Sequence, residues 1–227
     1  LKSLSDYKCK VLENQFQGML LQINKIDVWV KLVGKFNAYN MLAVYAVVKQ
    51  FDFSEEDILK ALSLLNSVNG RFEFVRNKEA VTGIVDYAHT DDALKSVIEV
   101  INEIKKDNED LITIIGCGGD RDKSKRSLMA KIACDLSSQV IITTDNPRSE
   151  HPDDIIKDMI SKLNFIQKKK VLIITDRKQA IMTAGKLANK NDVILVAGKG
   201  HEKFQEIKGE KIPFNDMEEL KKSINII

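Results

Sequence analysis

Leu111-Ile112-Thr113-Ile114-Ile115-Gly116-Cys117-Gly118-Gly119-Asp120-Arg121 is a short β-branched and aliphatic run that passes directly into a glycine-rich polar turn. An apolar run of this length, bounded by turn residues, reads as a strand buried on both faces. The same transition recurs along the chain. Gly83–Asp86 runs into Asp86-Tyr87-Ala88-His89, Val140–Thr144 into Asp145-Asn146-Pro147-Arg148, and Val193–Ala197 into Gly198-Lys199-Gly200-His201-Glu202. A fifth strand is expected over Val171–Ile174.

Amphipathic helices alternate with these strands. Their apolar stripes are Leu94, Val97, Ile98, Ile101, Ile104; Leu128, Met129, Ile132, Ala133, Leu136; Ile155, Ile156, Met159, Ile160, Leu163; and Ile181, Ala184, Leu187, Ala188. Thr90 and Ser127 are expected to cap the first two helices. Pro152 suits the first turn of the third, and Asp176 with Gln179 suits the start of the fourth. Strand–helix alternation of this kind predicts an α/β fold, a mainly parallel sheet with helices on both faces. Phe204–Ile207 and Lys211–Phe214 flank Gly209 as a closing hairpin.

The first third has another rhythm. Tyr7, Cys9, Val11 and then Ile26, Val28, Val30, Leu32 alternate with polar residues as strands do. A helix follows over about Asn37 to Val48. Met41, Leu42, Val44, Tyr45, Val47 and Val48 cover most of its circumference, which predicts deep burial. Ser54 caps the next helix, with Glu55, Glu56 and Asp57 at its positive end and Ile58, Leu59, Leu62, Leu65 as its stripe. Asn69-Gly70 breaks the pattern, so the domain boundary is placed between 69 and 70.

The 227 residues carry a net charge of +2, which gives no electrostatic case for a nucleic-acid or membrane partner. No apolar run is long enough to span a bilayer, and no secretory leader is visible. The lysines 168–170 read as a solvated turn. Cys9, Cys117 and Cys134 are widely spaced, without a Cys-x-x-Cys pair, so neither zinc nor a disulfide framework is expected and a reduced, cytoplasmic setting fits. The chain begins at Leu1 rather than Met, and the expectation is a fragment of a longer chain.

In open α/β sheets ligands bind beyond the carboxyl ends of the strands, where the unusual residues of this chain lie. Each motif also has a plainer reading: Asp86 and His89 as helix caps, Gly116–Gly119 as a tight turn, Asp145–Arg148 as an ordinary turn, and Cys117 as a small loop residue. Neither Gly-x-Gly-x-x-Gly nor a P-loop is present. Together the four strand ends predict one cleft for a polar ligand carrying both signs of charge.

These motifs resemble those of the Mur ligases, ATP-dependent amide-forming enzymes of peptidoglycan precursor synthesis. The resembling stretches are Gly34–Asn40, Gly70-Arg71, Val85–Thr90, Gly116–Arg126, Asp145-Asn146-Pro147-Arg148 and Ala197–Glu202, in family order. The resemblance implies that residues 1–69 are the end of a central ATP-binding domain and 70–227 a Rossmann-like C-terminal domain that binds the incoming amino acid. It implies an acyl-phosphate route, with ATP and Mg2+ as cofactors. The N-terminal domain, the P-loop, the magnesium ligands and the family's carbamylated lysine would lie outside these residues, so the chain is expected to be inactive alone. Asn37, Asn40, Arg71, Asp86 and His89 would bind ATP. No catalytic base and no metal ligand is assigned.

Members that use meso-diaminopimelate resemble this chain at Asp145-Asn146-Pro147-Arg148, whereas lysine-using members usually lack the arginine. The resemblance therefore implies meso-diaminopimelate as the amino acid and the UDP-N-acetylmuramoyl dipeptide as acceptor. Arg148, helped by Arg121, would take the distal carboxylate in a fork, while Asp145, Glu202 and the Gly198 carbonyl take the ammonium; Asn146 and Pro147 complete this set. Lysine would leave Arg148 unpaired, a ~10⁴-fold penalty in a site built for a polar group. A monomer with small-molecule partners only is expected. The alternatives are another ligase of the superfamily (lysine-adding, folylpolyglutamate or cyanophycin synthetase-like) and a noncatalytic binding module. Asp91 and Ser127 depart from the family pattern, since most relatives have proline at these positions.

Overall fold

The computed structural model of the chain describes residues 6–226, so Leu1, on which the fragment expectation rests, lies outside them. The chain divides into two units, one ending at Ser67 and one starting at Val68, two residues before the expected boundary.

The first unit is a meander with two helices. Strands β1 (Cys9–Gln15), β2 (Gly18–Ile23) and β3 (Ile26–Val30) pair antiparallel in that order. Helices α1 (Lys35–Val48) and α2 (Glu55–Leu64) follow. The core comprises Met19, Leu21, Ile23, Val28, Val30, Met41, Tyr45, Ile58, Leu59 and Leu62. Ser54 caps α2 by accepting the Asp57 N–H, as expected. The predicted deep burial of α1 is corrected: only Ala38, Met41 and Tyr45 are buried, while Val47 is 61% exposed. An all-round apolar helix does not reveal which side is covered, and within this unit α1 packs on one side only, against β1 and α2.

The second unit runs β4 (Glu73–Arg76), β5 (Thr82–Asp86), α3 (Asp91–Ile104), β6 (Leu111–Ile115), α4 (Ser124–Leu136), β7 (Gln139–Ile142), α5 (Pro152–Ile160), α6 (Phe165–Lys169), β8 (Val171–Ile173), α7 (Arg177–Leu187), β9 (Val193–Ala197), β10 (Phe204–Ile207), β11 (Glu210–Pro213) and α8 (Asp216–Ser223). Its six-stranded sheet has the order β4-β5-β9-β6-β7-β8, and only β4 is antiparallel. From β5 through β6 and β7 to β8 the chain advances in one direction. It then returns through α7 to place β9 between β5 and β6. Right-handed crossovers put helices on opposite faces when the direction of travel reverses. On one face α7 and α8 pack Ile181, Ala184, Met217 and Leu220 against Val85, Ile112, Ile114, Ile141, Ile194 and Val196. Side chains alternate along a strand, so Thr113 points the other way and its hydroxyl meets that of Ser137 after α4 at 2.8 Å.

Thr90 caps α3, Pro152 opens α5 and Asp176 caps α7 through the Gln179 N–H. Three expectations are corrected. Ser127 is no cap: α4 starts at Ser124, whose N–H is taken by Asp122 at 2.8 Å, and Ser127 is buried. The buried stripe of α4 is Arg126, Ser127, Met129, Ala130, Ala133 and Cys134, with Leu128 exposed, because small residues let α4 approach α3 and α5 closely. Lysines 168–170 are no free turn: two end α6, and Lys170 Nζ donates to the Cys134 and Ser137 carbonyls closing α4.

Candidate functional site

The carboxyl ends of β5, β6, β7 and β9 lie along one edge of the sheet, since these strands are parallel. The loops that follow them form a cleft of about 340 Å³. Of the amino-acid set, Arg121, Asp145, Asn146, Arg148, Gly198 and Glu202 all line it, and so does His89 of the nucleotide set. Pro147 does not: its carbonyl lies where a side chain on Gly119 would stand, 1.9 Å from an added Cβ. That contact lets the loops after β6 and β7 touch backbone to backbone, and the Gly119 N–H donates to the Asn146 carbonyl at 2.9 Å.

Asp145 is buried, and no protein hydrogen bond reaches its carboxylate among the described residues. Burial pushes its carboxyl up, against the pull of Arg177 and Lys199. Gly198, at φ +117°, leaves room for it: an added Cβ would sit 2.6 Å from Asp145 Oδ2. Asn146 faces inward. Its Oδ1 accepts from Lys199 Nζ and from the Glu206 N–H, each at 2.9 Å, and its Nδ2 donates to Glu202 Oε2 at 2.8 Å. Lys199 Nζ also reaches Glu202 Oε2 at 2.9 Å. Burial alone would raise the Glu202 carboxyl, but the Lys199 and Asn146 hydrogen bonds outweigh it and hold it below its ordinary value. Glu202 lines the cleft, and its Oε1 takes no hydrogen bond among the described residues.

Arg148 adopts φ 51°, a left-handed conformation that disfavours a side chain by about 1 kcal/mol or more. Two backbone bonds to the hairpin hold it there: its N–H donates to the Glu206 carbonyl and its own carbonyl accepts from Lys208. Its Nη1 donates to the Gly119 carbonyl at 2.7 Å, and Nε lies 3.4 Å from Glu206 Oε2. Arg121 is exposed beside the cleft.

Behind the loops lies fully buried Arg126, which donates to both Glu150 oxygens, to Asp158 and to the Gly118 carbonyl. Burial pushes the Cys117 thiol up to about 12, so it is no nucleophile at neutral pH.

The remaining nucleotide-set residues lie elsewhere. Arg71 stacks over the Tyr87 ring at 4.6 Å, and Tyr87 lies edge-on to His89 with ring centroids 4.7 Å apart. His201 is 5.2 Å from the same ring. Asp86 is buried and accepts the Phe72 and Ala88 N–H groups, each at 2.8 Å. It caps no helix. The His89 Nδ1 is 2.9 Å from the Tyr87 carbonyl, which only accepts, so Nδ1 carries a hydrogen, and Nε2 has no hydrogen-bond partner among the described residues. Lys125 donates to the His89 carbonyl at 2.7 Å. Asn37 and Asn40 belong to the first unit, where Asn37 Nδ2 donates to the Val33 carbonyl and Asn40 Nδ2 to Asn37 Oδ1.

Sequence reasoning missed Lys199, Arg126, Tyr87, His201 and Glu206. Lys199 and Arg126 stood inside quoted motifs, but nothing in the neighbours of Lys199 in its loop, or of Arg126 on α4, marks a charged residue as turned inward.

A family profile described as "Mur ligase, glutamate ligase domain" matches residues 70–200. The chain is 52% identical over 226 residues to UDP-N-acetylmuramoyl-L-alanyl-D-glutamate--2,6-diaminopimelate ligase of Bacteroides fragilis, covering 100% of this chain and 47% of that protein. The ligase of the same name from Parabacteroides distasonis is 53% identical over 221 residues, 97% of this chain and 46% of that one. The chain thus spans about half the length of the curated relatives it matches. A solved structure of a ligase of that name superposes with a TM-score of 0.72 at 33% identity, over 99% of this chain and 46% of that one. Folylpolyglutamate synthase of Mycobacterium tuberculosis, complexed with ADP and AMPPCP, superposes at 0.65 with 18% identity over 85% and 46%, which shows a shared fold alone.

Proposed function

The chain belongs to the Mur ligase family, and from that premise we propose that it supplies the amino-acid-recognition part of an ATP-dependent ligase joining meso-diaminopimelate to UDP-N-acetylmuramoyl-L-alanyl-D-glutamate. One observation carries the reading. A single cleft gathers the cations Arg121, Lys125 and Arg148 with the carboxylates Asp122, Asp145 and Glu202. That donor set fits a ligand bearing a carboxylate and an ammonium at its far end.

Arg148 presents Nη2 and a second Nη1 hydrogen to the distal carboxylate, with Arg121 adding charge from the cleft rim. Asp145, Glu202 Oε1 and the Gly198 carbonyl receive the distal ammonium. Asn146 and Pro147 shape the site, Asn146 by fixing Glu202 and Pro147 by its contact with Gly119. The residues contribute by positioning the attacking amine and excluding alternatives. The domain assignment is 1–69 as the end of the central domain and 70–227 as the C-terminal domain.

ATP supplies the phosphoryl group that activates the acceptor carboxylate. Arg71, Asp86, His89, Asn37 and Asn40 are assigned to it. Arg71 makes no salt bridge among the described residues, which leaves its guanidinium for phosphate. Mg2+ does not fit these residues: no cluster of three or more His, Cys, Asp or Glu is placed to hold a metal among the described residues. The reading is of a monomeric cytoplasmic enzyme without nucleic-acid or membrane partners. Cys9, Cys117 and Cys134 are free and buried, as a reducing setting allows; among the described residues no helix is long and apolar enough to cross a membrane.

Calorimetric titration of the chain with meso-diaminopimelate, L-lysine and L-glutamate tests the proposal. Meso-diaminopimelate should bind best, and Arg148→Ala should weaken it about 30-fold or more, as loss of a charge-assisted bond does. Unchanged affinity in that variant sinks the assignment.

A further inference from the structure

A site rejects a ligand that lacks a group when its own buried partner is then left unpaired. That logic makes Arg148 the reason lysine is refused, provided Arg148 has no other partner. It has two: Nη1 donates to the Gly119 carbonyl at 2.7 Å, and the charged partner is Glu206, whose Oε2 lies 3.4 Å from Nε with the two side chains 23% and 31% exposed and so open to water.

The placement of Glu206 is fixed independently of its carboxylate. Its N–H donates to Asn146 Oδ1 at 2.9 Å, its carbonyl accepts from the Arg148 N–H at 3.1 Å, and Ile207 bridges Arg148. The strand that pins the backbone of Arg148 therefore also delivers a carboxylate to its guanidinium. The Glu206 contact uses the Nε edge, while Nη2 has no protein partner among the described residues.

We propose that Glu206 is an internal stand-in for the ligand's distal carboxylate, a specificity-setting residue that keeps Arg148 paired when that carboxylate is missing. This inference rests on the reading of the cleft as a meso-diaminopimelate site. With lysine bound, Glu206 still neutralises Arg148 and softens the rejection. With meso-diaminopimelate bound, Glu206 adds a second negative charge beside the distal carboxylate and weakens its hold. Both effects narrow the preference, so the ~10⁴-fold discrimination of a site with an unpaired arginine is not reached.

The test is the ratio of Kd values for L-lysine and meso-diaminopimelate, measured by titration of the 227-residue chain. Glu206→Gln removes the charge and leaves both backbone bonds. It should widen the ratio about fivefold, the order expected of a half-exposed ion pair, by weakening lysine and tightening meso-diaminopimelate together. Glu206→Ala should act alike, and Glu210→Gln, on the exposed strand of the same hairpin, should change nothing. In an Arg148→Gln background the effect of Glu206→Gln should vanish, since the two act through one contact. An unchanged ratio in both Glu206 variants, or the same shift without Arg148, overturns the inference while leaving the site assignment intact. If the unmutated chain binds neither diamino acid, or its preference survives Arg148→Gln, the reading of the cleft falls and the inference with it.

Discussion

Lys199 has its ammonium wholly enclosed, 2.9 Å from both Asn146 Oδ1 and Glu202 Oε2 and 5.9 Å from the centre of the Phe204 ring. With the Asn146–Glu202 bond these contacts close a triangle between the loops after β7 and β9. Replacing Lys199 by Met keeps the length of the side chain and removes the charge. Glu202 and Asn146 then lose their shared partner, and removing one member of a buried pair costs about 3 kcal/mol. The expected outcome is that loss in denaturant unfolding, with meso-diaminopimelate binding at least tenfold weaker. There is also a pH signature. Glu202 is held below its ordinary value, so it stays ionised as the solution is acidified. Without Lys199 its carboxyl rises, and the acid limb of the binding profile should move to higher pH. A profile unmoved from the parent chain would count against the triangle. The sequence marks Asn146 and Glu202 for the site but as ligand contacts, when much of their bonding capacity serves each other. A buried lysine in a Gly-Lys-Gly loop has no local signature, because its burial is decided by a strand end 53 residues away.

At the scale of elements, α4 carries Arg126 into the back of the site. Its guanidinium ties the loop after β6, through the Gly118 carbonyl, to Glu150 just beyond Arg148 and to Asp158 on α5. The Arg126 hydrogen bonds, aided by the Asp120 N–H, hold the Glu150 carboxyl down to about 2 from 4.5. A carboxyl depressed in the folded state adds stability that is complete above its unfolded value and is lost as pH falls through the folded one. The second unit should therefore lose stability between about pH 4.5 and about pH 2, and Glu150→Gln should flatten that part of the stability–pH curve. Denaturant unfolding across that range reads it directly, and an unflattened curve would refute the role given to Glu150. Arg126 also explains why the register of α4 differs from its apolar stripe: the helix turns an ion-paired arginine inward and Leu128 outward. The helices whose stripes are regular, α3 and α5, were legible because burial followed hydrophobicity. Elements such as β2, β4, α6 and α8 were not, since short segments take their structure from what they pack against rather than from their own pattern.

Over the whole molecule, sequence predicts the parallel strands but not that the last of them, β9, enters between the first two. That insertion sets the Gly198 loop beside the Asp86 and Gly116 loops and makes one cleft of motifs spread over more than a hundred residues. The assembled second unit is proposed to recognise an amino acid, but phosphoryl transfer asks for something else. Its catalysis is almost entirely positioning and neutralisation of the charge spread over the phosphate oxygens. A P-loop supplies these through a cradle of backbone N–H groups and a lysine, and no Gly-x-x-x-x-Gly-Lys-Ser/Thr occurs in the 227 residues. Arg71 by itself provides one cation and no cradle. The 227-residue chain should therefore bind meso-diaminopimelate yet release no ADP above background when given ATP, magnesium, the UDP-sugar dipeptide and the amino acid. A coupled ADP assay run beside the calorimetric titration separates the two properties. ADP release that depends on meso-diaminopimelate would mean that these residues hold the β- and γ-phosphates by a device other than a P-loop, and that amino-acid recognition and phosphoryl transfer are not divided between this chain and residues outside it.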